Sequence, residues 1–258
     1  MQHPPKSLML FAAGLGTRMG ALVADRPKPL IEVAGRTLID HALDLSDGAG
    51  IGDVVVNLHY RGAMIRNHLA PRPDIRFSPE TEQILETGGG LRAALPLLGD
   101  GPVFTLNSDA VWTGPNPLAT LLAAWDPKRM DALLLLVPRD RATGHLGAGD
   151  FELDGDGRLT RGRDTVYAGA QIVKTDALHA IPDRSRATAA CSARCMRAAG
   201  ATWADPSRSR LPRRCCGRPR MFEPSDRPRI FALAPGVAFP QAFVAGLLER
   251  SAGQPPEA

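Results

Sequence analysis

A lysine sits between two prolines at Pro27-Lys28-Pro29, shortly after the glycine-rich run Gly14-Leu15-Gly16-Thr17-Arg18. A glycine-rich turn that follows a strand brings backbone N–H groups close to phosphate oxygens. Arg18 and Lys28 then add positive charge for a triphosphate and for a departing pyrophosphate. The lysine is a pointed choice, because the chain has only four lysines among its 31 basic residues. The bland alternative is a loop with two glycines and a solvated lysine. A second constellation is Leu85-Glu86-Thr87-Gly88-Gly89-Gly90, a glycine-rich helix start able to lie close under a flat base. Thr87 there also suits a plain helix N-cap. A third is Asn107-Ser108-Asp109, at the carboxyl end of an expected strand, where open α/β sheets bind ligands. Asp109 can hold Mg²⁺ against triphosphate oxygens, or cap the following turn.

Other chemistries fit less well. The dinucleotide fingerprint needs a third glycine where Met19 stands, and no Walker A ending Gly-Lys-Ser/Thr occurs. His41, His59, His68 and His145 have no metal-ligand spacing, so capping or solvated roles are expected. Cys191, Cys195, Cys215 and Cys216 do not match a four-ligand zinc pattern. No apolar run approaches the roughly 18–20 residues that span a bilayer, and the amino terminus lacks a cleavage pattern, so no membrane association and a cytoplasmic location are expected. The formal net charge of +4 is local: residues 184–220 hold ten arginines, no lysine and one acid, Asp205. That stretch has one aromatic, Trp203, and no periodicity, so nucleic acid is not an expected partner.

These motifs need a scaffold, and the hydrophobic pattern supplies one. Strands are expected at 7–12, 53–59, 75–80, 102–109, 131–138 and 165–173, with helices at 37–46, 60–69, 89–98 and 117–125. On the first helix Leu38, His41, Ala42 and Leu45 share a face. Residues 149–160 read as a hairpin turning at Asp154-Gly155-Asp156-Gly157. Alternating strands and helices with apolar strands predict an α/β fold, a Rossmann-like doubly wound, mixed but mostly parallel sheet. After residue 183 the periodicity stops. Order resumes at Met221, with a strand-like Ile230–Leu233 and helical spacing over 239–250, ahead of a tail expected to be disordered.

The run from Phe11 to Leu43, with G-x-G-T-R followed by P-K-P, resembles the start of the nucleotide-sugar pyrophosphorylases. Within that family it is most similar to the N-acetylmuramate 1-phosphate uridylyltransferases of cell-wall recycling, with mannose 1-phosphate guanylyltransferases as near neighbours. The resemblance extends to about residue 180. It implies the nucleotide-diphospho-sugar transferase fold and transfer of a nucleotidyl group to a sugar 1-phosphate, with release of pyrophosphate. It places nucleotide binding at Ala13, Gly14, Leu15, Gly16, Thr17, Glu86, Thr87, Gly88, Gly89 and Asn107, and catalytic charge at Arg18 and Lys28. Asp109 becomes one of two aspartates for Mg²⁺. The sugar pocket falls at Gly147, Asp150, Ala168 and Gly169. The expected partners are a nucleoside triphosphate and a sugar 1-phosphate, with the chain a monomer or weak dimer.

The family closes with W-x-D-V-G-x-P, whose aspartate is the second metal ligand. This chain has Trp203-Ala204-Asp205-Pro206 without the V-G. Reading the codons of Ala199 to Pro206 from each third base permits W-C-D-V-G-R-P, and the same frame permits G-R-L-F-G upstream. The expectation is therefore a frame change near residues 183–186. Residues 1–183 form the transferase domain, 184–220 are frame-shifted sequence, and 221–258 are a read-through tail resembling the start of a double-strand-break repair helicase–nuclease B subunit. A catalytically impaired nucleotide-binding remnant lacking the second aspartate is the rival reading.

Overall fold

The computed structural model describes residues 4–17, 19, 23–143, 145, 147–154, 159–179, 230–233 and 242–244. Strand β1 (Ser7–Phe11) and strand β4 (Asp53–Leu58) carry unbroken apolar runs, Leu8–Leu10 and Val54–Val56, that are buried on both faces. Such strands belong inside a sheet with helices on both sides. Between them come the short ribbon of β2 (Glu32–Val33) and β3 (Arg36–Thr37) and the helix α1 (Leu38–Gly48). The ribbon turns at Ala34 and Gly35, both at positive φ, as a two-residue hairpin demands. Then follow α2 (Gly62–His68), β5 (Ile75–Pro79), α3 (Glu86–Leu98), β6 (Val103–Asn107), β7 (Ala110–Val111) and α4 (Pro117–Ala124). The second half contains β8 (Ala132–Pro138), β9 (Ala142–Thr143), β10 (Phe151–Leu153), β11 (Leu159–Arg161), β12 (Thr165–Val173) and α5 (Asp176–His179). Two further short strands are β13 (Ile230–Leu233) and β14 (Ala242–Val244).

Among the described residues a nine-stranded sheet runs β11-β10-β12-β6-β1-β4-β5, with β8 also paired to β12 and β13 to β8. Strands β5, β4, β1 and β6 are mutually parallel, whereas β12 is antiparallel to both β6 and β8. Helices α1, α2 and α4 contribute Ile39, Ala42, Leu43, Ile65, Leu118 and Leu121 to one face of the sheet. On the opposite face α3 packs Leu91, Ala94, Leu95 and Leu98 beside Met9 and Val55. The sheet is thus doubly wound. The crossovers run outward from β1 to β5 and then return through α3 to β6 on the other side of β1. The crevice opened by that reversal lies at the carboxyl ends of β1 and β6.

Local chemistry explains the element ends. Thr37 accepts from Asp40 N at the start of α1, and Asn116 accepts from Leu118 N and Ala119 N ahead of Pro117 at the start of α4. The buried stripe of α1 is Leu38, Ile39, Ala42, Leu43 and Ser46, rotated from the expected face. His41 is drawn aside because its Nε2 lies 2.9 Å from Val33 O on the β2–β3 ribbon. The 149–160 hairpin is present as the antiparallel pair β10–β11; its turn residues 155–158 lie outside the described residues. One expectation is corrected: within the predicted 239–250 helix, Ala242–Val244 forms β14, paired with β7 and β9. Pairing to two neighbours there overrides local helical spacing. The Ile230–Leu233 strand is found, parallel to β8. Residues 180–229, with all four cysteines, Trp203 and Asp205, lie outside the described residues.

Candidate active site

The carboxyl end of β1 passes into the glycine-rich loop, where Ala12 and Ala13 are buried and Gly14, Leu15 and Thr17 are exposed. A cleft of about 230 Å³ opens there. Its first wall is Phe11, Ala12, Ala13 and Gly14, and its second is Ile84, Glu86 and Thr87 at the start of α3. Asn107, Ser108 and Asp109 form its floor at the end of β6, and Lys28 and Pro29 close one side.

Each wall is fixed by a local device. Gly16 has φ +65, and a Cβ there would meet Lys28 Cβ and Val23 Cγ1 at 3.1 Å, so the loop lies flat against the lysine stem. Lys28 begins a single 3-10 turn, Lys28–Leu30, preset by Pro27, and Pro29 is buried beneath it. The turn aims Lys28 Nζ at Asp109 Oδ2, 2.7 Å away. Ser108 Oγ donates to Phe11 O at 2.6 Å, clamping the end of β6 to the end of β1. Glu86 stands at φ +56, a backbone region that L residues seldom adopt, and it does so at the cleft wall. Strain of that kind concentrates at ligand sites.

Two buried polar residues join the walls. Asn57, which follows the apolar run Val54–Val56 of β4, accepts from Ala12 N at 2.7 Å through Oδ1. Its Nδ2 donates to Glu80 Oε1 at 2.7 Å. Glu80 Oε2 accepts from Leu85 N at 2.7 Å. Both side chains are almost wholly buried. Burial pushes the Glu80 carboxyl above the usual carboxylate range, against the lowering effect of those hydrogen bonds.

Of the residues marked by the sequence, Ala13, Gly14, Lys28, Glu86, Thr87, Asn107 and Asp109 line this one cleft. Leu15, Gly16 and Thr17 continue the same loop, and Gly88 and Gly89 lie inside α3. Thr87 caps no helix: α3 starts at Glu86 without a side-chain cap. Arg18 lies outside the described residues. Gly147, Asp150, Ala168 and Gly169 are not in the cleft lining. The Asp150 carboxylate accepts from Tyr167 N at 3.0 Å and so pins the hairpin to β12. Ala168 packs with Val137, Ala142 and Val166. Gly169 acts from behind. It sits in the irregularity between Tyr167 and Gln171 at φ +87, where a Cβ would come within 2.5 Å of Asn107 Cγ. Sequence reading missed Asn57 and Glu80. The available signal was a lone asparagine in the strand run Asp53-Val54-Val55-Val56-Asn57-Leu58, since a buried polar side chain requires a partner.

Residues 8–213 match the MobA-like NTP transferase domain. The chain belongs to that family. The transferase is 44% identical over 197 residues to the N-acetylmuramate alpha-1-phosphate uridylyltransferase of Caulobacter vibrioides, covering 71% of this chain and 81% of the relative. It is 34% identical over 176 residues to the enzyme of the same name from Neisseria meningitidis serogroup B, covering 65% and 75%. Among solved structures, UDP-glucose pyrophosphorylase from Acinetobacter baumannii superposes with a TM-score of 0.59 at 14% identity, covering 75% of this chain and 82% of that one. The family match runs past Asp183 into the arginine-rich segment and ends before Met221. The transferase is thus a nucleotidyltransferase by sequence family, and its fold is that of the sugar nucleotidyltransferases. Among the described residues, no helix is long and apolar enough to cross a membrane.

Proposed function

We propose that the domain transfers a uridylyl group from UTP to N-acetylmuramate 1-phosphate, giving the nucleotide sugar and pyrophosphate. The observation that carries the reading is the Lys28–Asp109 pair, held at 2.7 Å between two glycine-rich walls at the carboxyl end of a parallel sheet. The names of the relatives supply the base and the sugar.

In this reading a phosphate oxygen of the sugar 1-phosphate attacks the α-phosphorus of UTP. The new O–P bond forms as the α–β anhydride bond breaks, and the electron pair leaves on pyrophosphate. Backbone N–H groups of residues 13–17 hold the phosphates, while Lys28 and Arg18 stabilise the charge that grows on the leaving group. Glu86, Thr87, Gly88 and Gly89 seat the nucleoside, and Asn107 holds the end of β6 toward it. Gly147, Asp150, Ala168 and Gly169 are proposed to border the sugar. Mg²⁺ suits Asp109, a hard oxygen donor open to the cleft, with triphosphate and water completing the shell. When bound, it would neutralise charge on the triphosphate. The parts need no covalent intermediate and no membrane or nucleic-acid partner, and the cytoplasm is the proposed setting.

Residues 184–220 are assigned to a shifted frame, so the second carboxylate is restored only with W-C-D-V-G-R-P. The test is pyrophosphate release by the chain in both frames, with UTP or GTP and N-acetylmuramate 1-phosphate or mannose 1-phosphate. The expected result is fastest turnover in the restored frame with UTP and N-acetylmuramate 1-phosphate, and UTP binding with poor turnover in the chain as it stands. Preference for GTP and mannose 1-phosphate in the restored frame overturns the assignment. Equal turnover in both frames overturns the reading of 184–220.

A further inference from the structure

Asn57 and Glu80 stand apart from the parts a phosphoryl transfer needs. Neither is a cation or a loop donor, yet both border the cleft. Their hydrogen bonds form one chain with fixed polarity. Ala12 N can only donate, so the asparagine must present Oδ1 to it and Nδ2 to Glu80. Leu85 N can only donate, so Glu80 must accept at Oε2 as well as at Oε1. A carboxylate is the group of this size that accepts at both ends. The chain of four groups spans from the phosphate-loop wall, at Ala12, to the nucleoside wall, at Leu85.

The packing around the chain is built for it. A Cβ at Gly90 would lie 2.7 Å from Glu80 Oε1 and 3.0 Å from Asn57 Nδ2, so the glycine leaves room for the bracket. The main chain beside Glu80 is tied down too: Glu80 N donates to Leu58 O at 2.7 Å, and His59 Nδ1 lies 2.7 Å from Glu80 O. No sheet pairing joins Ala12 to Leu85. The bracket therefore sets the distance between the wall that holds the phosphates and the wall that holds the nucleoside.

We propose that Asn57 and Glu80 are positioning residues that fix the width of the nucleotide cleft, and so determine affinity for the nucleoside triphosphate rather than for the sugar phosphate. The inference rests on the nucleotide reading of the cleft given above. It opposes the effect of charge alone. Removing a carboxylate from beside a triphosphate site favours binding by Coulomb's law. Glu80→Gln instead weakens it here, because an amide has one acceptor and leaves one of two buried donors unpaired.

The decisive experiment is direct calorimetric titration of UTP with Mg²⁺ into the full chain, together with thermal melting. In Glu80→Gln, UTP affinity is expected to fall on the order of tenfold at a temperature where the variant is folded. The paired variant Asn57→Asp with Glu80→Gln reverses the polarity. The new aspartate accepts from Ala12 N and from the Gln amide, and the Gln oxygen accepts from Leu85 N, at unchanged net charge. It is expected to restore affinity to within about threefold, a residual of the size that local repacking leaves. Where turnover is measured, KM for UTP rises in the single variant, while KM for the sugar phosphate stays put. A folded Glu80→Gln that binds UTP as well as or better than the parent overturns the proposal. So does a folded paired variant that binds about tenfold or more weakly than the parent, a comparison that decides the matter even if the single variant does not fold. If the parent itself binds no nucleoside triphosphate, it is the nucleotide reading that fails.

Discussion

Gly169→Ala tests how the second half of the chain supports the first. Gly169 holds φ +87 and would place a Cβ within 2.5 Å of Asn107 Cγ and Nδ2, and 2.7 Å from Asn107 Cβ. Forcing an L residue into that backbone region costs on the order of 1–3 kcal/mol. The clash adds to it, because Asn107 Cβ is fixed by the β6 backbone and no rotamer change removes it. For a domain of this size the backbone cost alone corresponds to roughly 3–10 °C in Tm. Relief requires a shift of β6 against β12, and that carries Asn107, Ser108 and Asp109 with it. Gly169→Ala is therefore expected to lower Tm and also to weaken UTP binding, although residue 169 is not in the cleft lining. The assay is a melting curve with and without UTP and Mg²⁺. Truncating the neighbour should not rescue it: Gly169→Ala in an Asn107→Ala background keeps the contact with Cβ and stays destabilised. A Gly169→Ala chain with parental Tm and parental UTP affinity would falsify this account of the β12 irregularity.

Further expectations follow from the same geometry. In the restored frame Lys28→Gln should lower kcat by about a hundredfold with little change in Tm, since the proposed role sets its charge against the leaving group; steady-state pyrophosphate release measures it, and an undiminished kcat refutes the assignment. Glu86→Gly should raise Tm, because glycine releases about 1 kcal/mol of strain at φ +56, while UTP binding weakens; a variant that gains stability and keeps full affinity shows that the strain serves no ligand. Glu80 should also leave a mark on stability against pH. Its folded pKa lies above the ordinary value, so the unfolded chain loses this proton first as pH rises. Its contribution to stability is therefore lost, not gained, as pH climbs from the ordinary carboxylate value through the raised one. Denaturation midpoints from pH 4 upward should show the parent losing ground to Glu80→Gln across that window; the opposite trend rejects the raised value.

Much of this architecture was legible in the sequence because the strands are long apolar runs with clear breaks between them. Ala132–Pro138 reads as a buried strand from its composition alone, and Thr165–Val173 shows its span through Val, Tyr, Ile and Val. Glycine-rich turns also announce themselves, so the loop at residues 14–17 and the start of α3 were placed together with Asp109. Long-range polar contacts were not legible. Asn57 and Glu80 meet because β4 and β5 are neighbours in the sheet, which single-residue chemistry does not reveal. Nor was the contact legible by which the Asp150 carboxylate accepts from Tyr167 N on β12. The face of α1 was misjudged for a similar reason: His41 turns to a carbonyl on the β2–β3 ribbon, a contact that periodicity cannot see.

Among the described residues the lining of the cleft comes from residues 11–109, although the described chain continues through β8, β12 and beyond. The two halves meet along the β6–β12 pairing, where Gly169 backs Asn107. Such a division separates two kinds of heritable change. Substitutions in β8 to β12 can reshape what approaches the cleft from that side while the triphosphate machinery stays as it is, provided residue 169 remains glycine. Changes before residue 110 act on every acceptor alike. With the acceptor placed against β8 to β12 as proposed above, a lineage built on this plan exchanges acceptor sugars through its second half and keeps one way of opening a nucleoside triphosphate.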